Sequence, residues 1–300
     1  MRRVLHVIGI RNGWAIDGRG KALSAALAEQ YDCTVVSTDE PLPAGDGFDL
    51  IHLHSLVFIP RVAAAGYLEH RCWGFELPSE RALRRLARAG AAVKEASFCV
   101  AKSPRLKEII APELGPDARC EFIANGVDCE MFRPRKLRVG WVGRKEESYK
   151  RFKGYGLVSE AVSALGERWR GAAQIEFAPD ASCYPVRVLG RQAMAAYYKS
   201  LDALVCASQS EGCSNVVMEA LAAGVPVVST DVGCAGVLRE EVGLTIVERT
   251  ADAIAEGLES VLGDSARRVQ VMRDRYSWRA IAEQYARLYR EVLEWKCHDG

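Results

Sequence analysis

The sequence predicts an α/β protein of two domains built on parallel sheets, and three observations carry that expectation. Residues 201–230 read as an apolar strand, a polar turn, a capped helix and a second apolar strand, the repeating unit of a parallel layer. Two further apolar runs, VLHVIGI at 4–10 and LRVGWVG at 137–143, read as buried parallel strands, one opening each half of the chain. The length of 300 residues is long for one domain and comfortable for two, since domains cluster around 100–200 residues.

Composition narrows the class. Apolar content of 49% and charged content of 26% suit a globular chain, and a net charge of +1 gives no overall pull toward nucleic acid or membrane. The ten cysteines are dispersed without a Cys-x-x-Cys pair, so neither a zinc framework nor a secretory disulfide pattern is expected. Two arginines precede the first apolar run, but Arg11 ends it too early for a signal segment or a membrane span. The expectation is a cytoplasmic protein without a transmembrane segment.

In chain order, the strand at 4–10 leads into a glycine-containing loop at 11–20, a helix at 21–30 and a second strand at 33–37. Proline and glycine make 39–48 a loop. The strand at 49–55 ends in His52 and His54, which share a face at the two-residue spacing. A metal could use that pair, but no third ligand is placed by the sequence and no metal is expected. Between 71 and 107, nine basic residues face three acidic ones. Ser79 caps a helix running to about residue 92, with Leu83, Leu86, Ala87 and Gly90 as its apolar stripe and arginines on the other face. That surface is chiefly a solvated face. DNA phosphate or an anionic lipid surface is the alternative partner, as a peripheral contact. A strand follows at 98–101, and Asn125-Gly126 reads as a tight turn with positive φ in a linker ending near Pro134.

The second half opens with the strand at 137–143, then Arg144 and a loop to Lys153-Gly154. A strand at 174–177, a turn at Leu189-Gly190 and a helix at 194–200 precede the central unit. There the strand at 201–207 breaks at a polar turn. Ser214 is placed to cap a helix with its hydroxyl, Gly224 to end it, and Pro226 to prevent its continuation. Residues 231–236 form a loop, 243–247 a late strand, and 251–262 and 278–295 the closing helices.

Chemistry concentrates in that central unit. Glu211 and Glu219 stand eight apart, one in the loop and one in the helix. A helix N-terminus attracts phosphate through its unpaired N–H groups and dipole. Gly212, Cys213 and Ser214 are small enough to let a ligand reach the backbone. Carboxylates flanking an anion site suit hydroxyl groups on either side, so the implied ligand is a nucleotide sugar.

The string EGCSNVVMEALAAGVPVV resembles the donor-site signature of the retaining group 1 (family 4) glycosyltransferases of the GT-B fold, and FIANGVDCEMFRP is similar to their interdomain segment. The resemblance implies two Rossmann-like domains facing across a cleft. Residues 1–134 would bind the acceptor and 135–300 the donor, with the helix at 278–295 crossing back to the first domain. It implies that Arg144 and Lys153 clamp the donor diphosphate, with Lys150 and Arg151 as competing candidates. Glu211 would hold the donor sugar, Glu219 the ribose, and the amides of Ser214, Asn215 and Val216 the leaving phosphate. Gly190 would lie at the base, and Gly18 and Gly20 at the donor phosphates or acceptor. His54, His70, Trp73, Glu76 and Arg19 are the expected acceptor contacts.

The implied reaction retains anomeric configuration and uses no cofactor or metal. It moves a hexose from UDP or GDP to a saccharide, glycolipid or other hydroxyl acceptor. The alternatives are transfer to modified bases of DNA, a UDP-sugar epimerase, and a non-enzymatic nucleotide-sugar binding module.

Overall fold

The computed structural model describes residues 1–9, 15–84, 91–132, 135–144, 146–170, 173–180 and 191–298. The chain divides into two compact units, one formed by Met1–Phe132 with Met272–Gly300 and the other by Arg133–Val271.

The first unit carries six strands, β1 (Arg2–Ile8), β2 (Tyr31–Ser37), β3 (Leu50–Leu53), β4 (Trp73–Leu77), β5 (Phe98–Ala101) and β6 (Arg119–Phe122). All pair in parallel, in the order β2-β1-β3-β4-β5-β6. Strands buried on both faces read as continuous apolar runs, and Val4 to Ile8 are all buried. One face, with Leu5, Val7, Ile51, Leu53 and Phe75, packs on the short helices between strands. The other, with Val4, Leu50 and Phe98, receives the helices Ala15–Leu27 and Trp278–His298. The terminal helix buries Ile281, Tyr285, Leu288, Tyr289 and Val292, the three-to-four residue spacing of an apolar stripe facing a core.

The second unit holds β7 (Leu137–Val142), β8 (Ile175–Asp180), β9 (Ala203–Cys206), β10 (Val227–Thr230) and β11 (Thr245–Val247), parallel in the order β11-β10-β9-β7-β8. Its core lies on the two faces of that sheet, around Trp141, Val158 and Leu258 on one and Leu204, Val217 and Leu238 on the other. Among the described residues no helix is long and apolar enough to cross a membrane.

Several expected elements change character. Gly18, Arg19 and Gly20 lie within the helix Ala15–Leu27 instead of in a loop. A Cβ on Gly20 would come within 2.3 Å of the Ile8 side chain, so that glycine serves helix-to-strand packing. The expected helix from Ser79 is short, Glu80–Leu83, and Ser79 makes no side-chain cap bond. Leu86, Ala87 and Gly90 lie outside the described residues. Gly126 is not among the positive-φ glycines; it is required because a Cβ there would sit 2.4 Å from the Trp278 ring. Residues 147–152 are helical where a loop was expected, and the helix from Ala251 continues to Tyr276.

Candidate functional site

In the second unit β7 lies between β8 and β9, so the direction of strand addition reverses between β7 and β9. Open parallel sheets bind ligands in the crevice outside the carboxyl ends of the strands at such a switch point. Arg144 and Lys153 follow β7, and Glu211 to Val216 follow β9.

Lys153 terminates the helix Glu147–Phe152, and Gly154 behind it takes a left-handed φ of 72°. A Cβ on Gly154 would lie 2.4 Å from the Ala207 carbonyl oxygen, so only glycine lets this turn press against the end of β9. The contact is stitched from both sides. The Gln209 amide donates to the Phe152 carbonyl at 3.0 Å. The Arg249 guanidinium donates to the carbonyls of Ala207 (3.0 Å) and Arg151 (2.9 Å). Arg249 leaves no signal in the sequence, because among the described residues its hydrogen bonds go to backbone carbonyls, which carry no residue pattern.

That stitching brings the Lys153 ammonium onto the Glu211 carboxylate as a direct ion pair. The Ser208 hydroxyl donates to the same Glu211 oxygen at 2.6 Å, and Thr230 fixes Ser208 by donating to its carbonyl at 2.8 Å. The pair is neither sealed nor fully solvated, with side chains 14% and 15% exposed. Arg144 joins it through Tyr149, whose ring lies 4.8 Å from the Arg144 guanidinium carbon and 5.9 Å from the Lys153 ammonium. Lys150 pairs with Glu147 at 2.8 Å and also lies 5.2 Å from the Tyr155 ring.

The helix Asn215–Ala222 starts beside Glu211. Ser214 is its N-cap by position, but its hydroxyl makes no capping bond. The first-turn amides are therefore not capped by that hydroxyl. Glu219 is exposed on the same helix. Gly212 and Gly233 meet at a backbone crossing: Gly233 has φ 58° and a Cβ there would fall 1.6 Å from the Gly212 oxygen. Gly190 lies outside the described residues.

The acceptor candidates of the first unit separate. Trp73 is buried among core residues, and His70 donates from Nε2 to the Phe48 carbonyl at 2.9 Å and accepts at Nδ1 from the Cys72 amide at 3.1 Å. They stand at the amino end of β4, away from the strand ends where ligands bind, so the acceptor expectation fails for both. His54 and Glu76 are 1% and 2% exposed and belong to an interior network. Gly20 is likewise buried under Ile8 and cannot meet a ligand phosphate, while Gly18 is exposed. Arg19 is half-buried and donates to the Asn125 side-chain oxygen at 2.8 Å.

That network is the part of the first unit sequence reasoning missed. Register places His6 beside His52 on neighbouring strands. His6 Nδ1 and His54 Nε2 are hydrogen-bonded at 3.0 Å, and Tyr289 of the terminal helix meets His52 Nδ1 at 2.6 Å. Lys102 reaches Tyr285 at 2.6 Å and Glu76 at 3.2 Å. Burial opposes ionisation of Glu76, but the Lys102 ammonium and His54 outweigh it and hold its carboxyl well below the usual range. Burial, followed by the neighbouring His54, pushes His6 and His52 well below the ordinary imidazole value. Burial first, then Glu76, pushes the Tyr285 hydroxyl up, so it stays a donor. The three imidazoles offer nitrogen atoms within 4.8 Å of one another. The Lys102 cation beside Glu76 makes an ion-paired interior polar cluster the better reading than a metal centre.

Residues 136–264 match the family model described as Glycosyl transferases group 1. An uncharacterized glycosyltransferase of Methanocaldococcus jannaschii is 34% identical over 106 residues, covering 32% of this chain and 27% of that protein. The D-inositol 3-phosphate glycosyltransferase of Corynebacterium aurimucosum is 28% identical over 218 residues, covering 60% of this chain and 51% of that protein. The matches thus span between about a quarter and a half of these curated relatives. Among solved structures, Anabaena Alr3699/HepE in complex with UDP-glucose covers 97% of this chain and 100% of its own, with a TM-score of 0.42 and 15% identity. Sucrose-phosphate synthase from Thermosynechococcus elongatus covers 98% and 100%, with a TM-score of 0.39 and 17% identity.

Proposed function

Residues 136–264 being a group 1 glycosyltransferase domain, we propose that the protein moves a sugar from a nucleoside diphosphate to a hydroxyl acceptor, most simply a saccharide or glycolipid. The observation that carries this reading is the Lys153–Glu211 pair at the β7/β9 switch point, beside the start of the helix Asn215–Ala222. The pair sets a cation and a carboxylate side by side, complementary to a phosphate and a sugar hydroxyl joined in one ligand. A donor phosphate would compete with Glu211 for Lys153, freeing the carboxylate to accept hydroxyl hydrogens.

The leaving diphosphate gains charge as the glycosidic bond breaks. Cations and amides already oriented toward it stabilise that charge without reorganising. Arg144 and Lys153 take this role, with the amides of Ser214, Asn215 and Val216. Glu211 orients the sugar, and Glu219 meets the ribose diol. The resemblance supports a retaining reaction on one face of the sugar, in which the departing phosphate accepts the acceptor proton. The acceptor is assigned to the first unit at the carboxyl ends of its strands, where Arg19 stands.

The test is thermal stabilisation of the purified chain by UDP, GDP, ADP and their hexose conjugates. Stabilisation by one nucleoside diphosphate is expected and would name the base. No shift with any would sink the donor site.

A further inference from the structure

Two cysteines whose thiols have no role in the glycosyltransferase reading meet at the candidate donor site. Cys213 lies between Glu211 and the N-cap Ser214, and Cys234 precedes the helix Ala235–Val242. Their Sγ atoms are 3.0 Å apart, about 1 Å more than a disulfide bond and less than the contact distance of unbonded sulfurs. The two loops are already held in register. The Cys234 amide donates to the Gly212 carbonyl at 3.2 Å, and Gly233 leaves no room for a side chain against that same oxygen. Cys213 is exposed and Cys234 half-buried, so an oxidant can reach the first thiol and the second is poised to resolve it.

We propose that Cys213 and Cys234 form a reversible disulfide that lowers nucleotide binding at the adjoining site. The second half of this proposal rests on the donor-site reading above. With a peroxide as oxidant, Cys213 attacks one oxygen, the O–O bond breaks and water departs, leaving a sulfenic acid. Cys234 then attacks that sulfur, the S–S bond forms, and the hydroxyl leaves with the thiol proton as a second water. Two thiols lose two electrons to one hydrogen peroxide, and a dithiol reductant reverses the change by exchange.

The consequence is geometric. The cross-link ties the residue after Gly212 to the 231–235 loop. The Glu211–Ser214 segment then loses the freedom to shift when a phosphate draws Lys153 from Glu211. The hydrogen bond with Cys234 raises the Cys213 thiol above its ordinary range, so the reaction should quicken as pH rises, the thiolate being the nucleophile.

The experiment uses the full chain, reduced with dithiothreitol or treated with hydrogen peroxide and desalted. Peptide mass mapping is read together with UDP and GDP titrations. A Cys213–Cys234 linked peptide with a mass loss of about 2 Da is expected. Nucleotide affinity should fall about tenfold or more on oxidation and return with dithiothreitol, a free-energy change of about 1.4 kcal/mol. C234S should give the same affinity with and without peroxide and no linked peptide. Absence of the linked peptide, or pairing of Cys213 elsewhere, overturns the disulfide. A linked protein with the affinity of the reduced one overturns the control of binding. If the reduced protein binds neither nucleotide, the donor-site reading and the control both fail, and the linked peptide still decides the disulfide.

Discussion

At the scale of single residues, the candidate site reduces to a carboxylate and an ammonium in a direct ion pair, Glu211 with Lys153. Glu211→Ala and Lys153→Ala should each lower turnover by about a hundredfold, the scale of one lost transition-state contact. Steady-state kinetics with the donor found by thermal shift would check this, and near-wild-type rates in both would sink the assignment. The motif made Glu211 and Lys153 legible in the sequence, yet their pairing was not, because the residues are far apart in the chain and meet only through the turn at Gly154. The histidine network carries a different prediction. His6 and His52 are neutral in the fold because burial and His54 depress them. Below the unfolded imidazole pKa of about 6.5, the unfolded chain binds protons that the folded chain refuses, so stability falls as pH falls. Each such histidine contributes a slope of about 1.4 kcal/mol per pH unit in that window. Urea denaturation at pH 7.5 and 5.5 would measure it, and equal stability at both would refute the buried neutral assignment.

Among elements, the decisive piece is the turn that carries Lys153 against the end of β9. Gly154→Ala forces a left-handed φ on a side chain and drives its Cβ into the Ala207 carbonyl. A loss of about 1–3 kcal/mol is expected, the range for strained backbone, together with reduced nucleotide affinity. Arg249→Met removes the donors to Ala207 and Arg151 and should cost about 1–3 kcal/mol, the scale of a buried group left unpaired. Thermal denaturation reads both, and a wild-type midpoint in either variant would show that the stitching is dispensable. Most strands were legible at this scale because parallel strands are runs of apolar residues. β4 was not, since Gly74 and Glu76 interrupt its apolar run, and β6 was hidden by its charged residues Arg119 and Glu121. The helix Glu147–Phe152 was obscured by its polar composition, having no buried residue to set a period.

For the whole molecule, the proposed chemistry draws its positive charge from Arg144 and Lys153. EDTA should therefore leave turnover unchanged, and a full loss restored by Mn²⁺ would overturn that expectation. Composition and local pattern alone determined the α/β class, the parallel strands and the helix following Glu211, and the string EGCSNVVMEALAAGVPVV carried the resemblance to a glycosyltransferase donor site, because each is written in residues close together in sequence. Tertiary structure decided what depends on distant segments meeting. It buried His54, Glu76 and Trp73, which the sequence offered as acceptor contacts, and it drew His6, His52, His54, Glu76 and Lys102 into one network under Tyr285 and Tyr289. It also placed Cys213 against Cys234 and Arg249 against the backbone of two loops. Hydrophobic burial is non-directional and shows in composition. Polar partnerships need both partners at bonding distance, and only the folded chain brings them there.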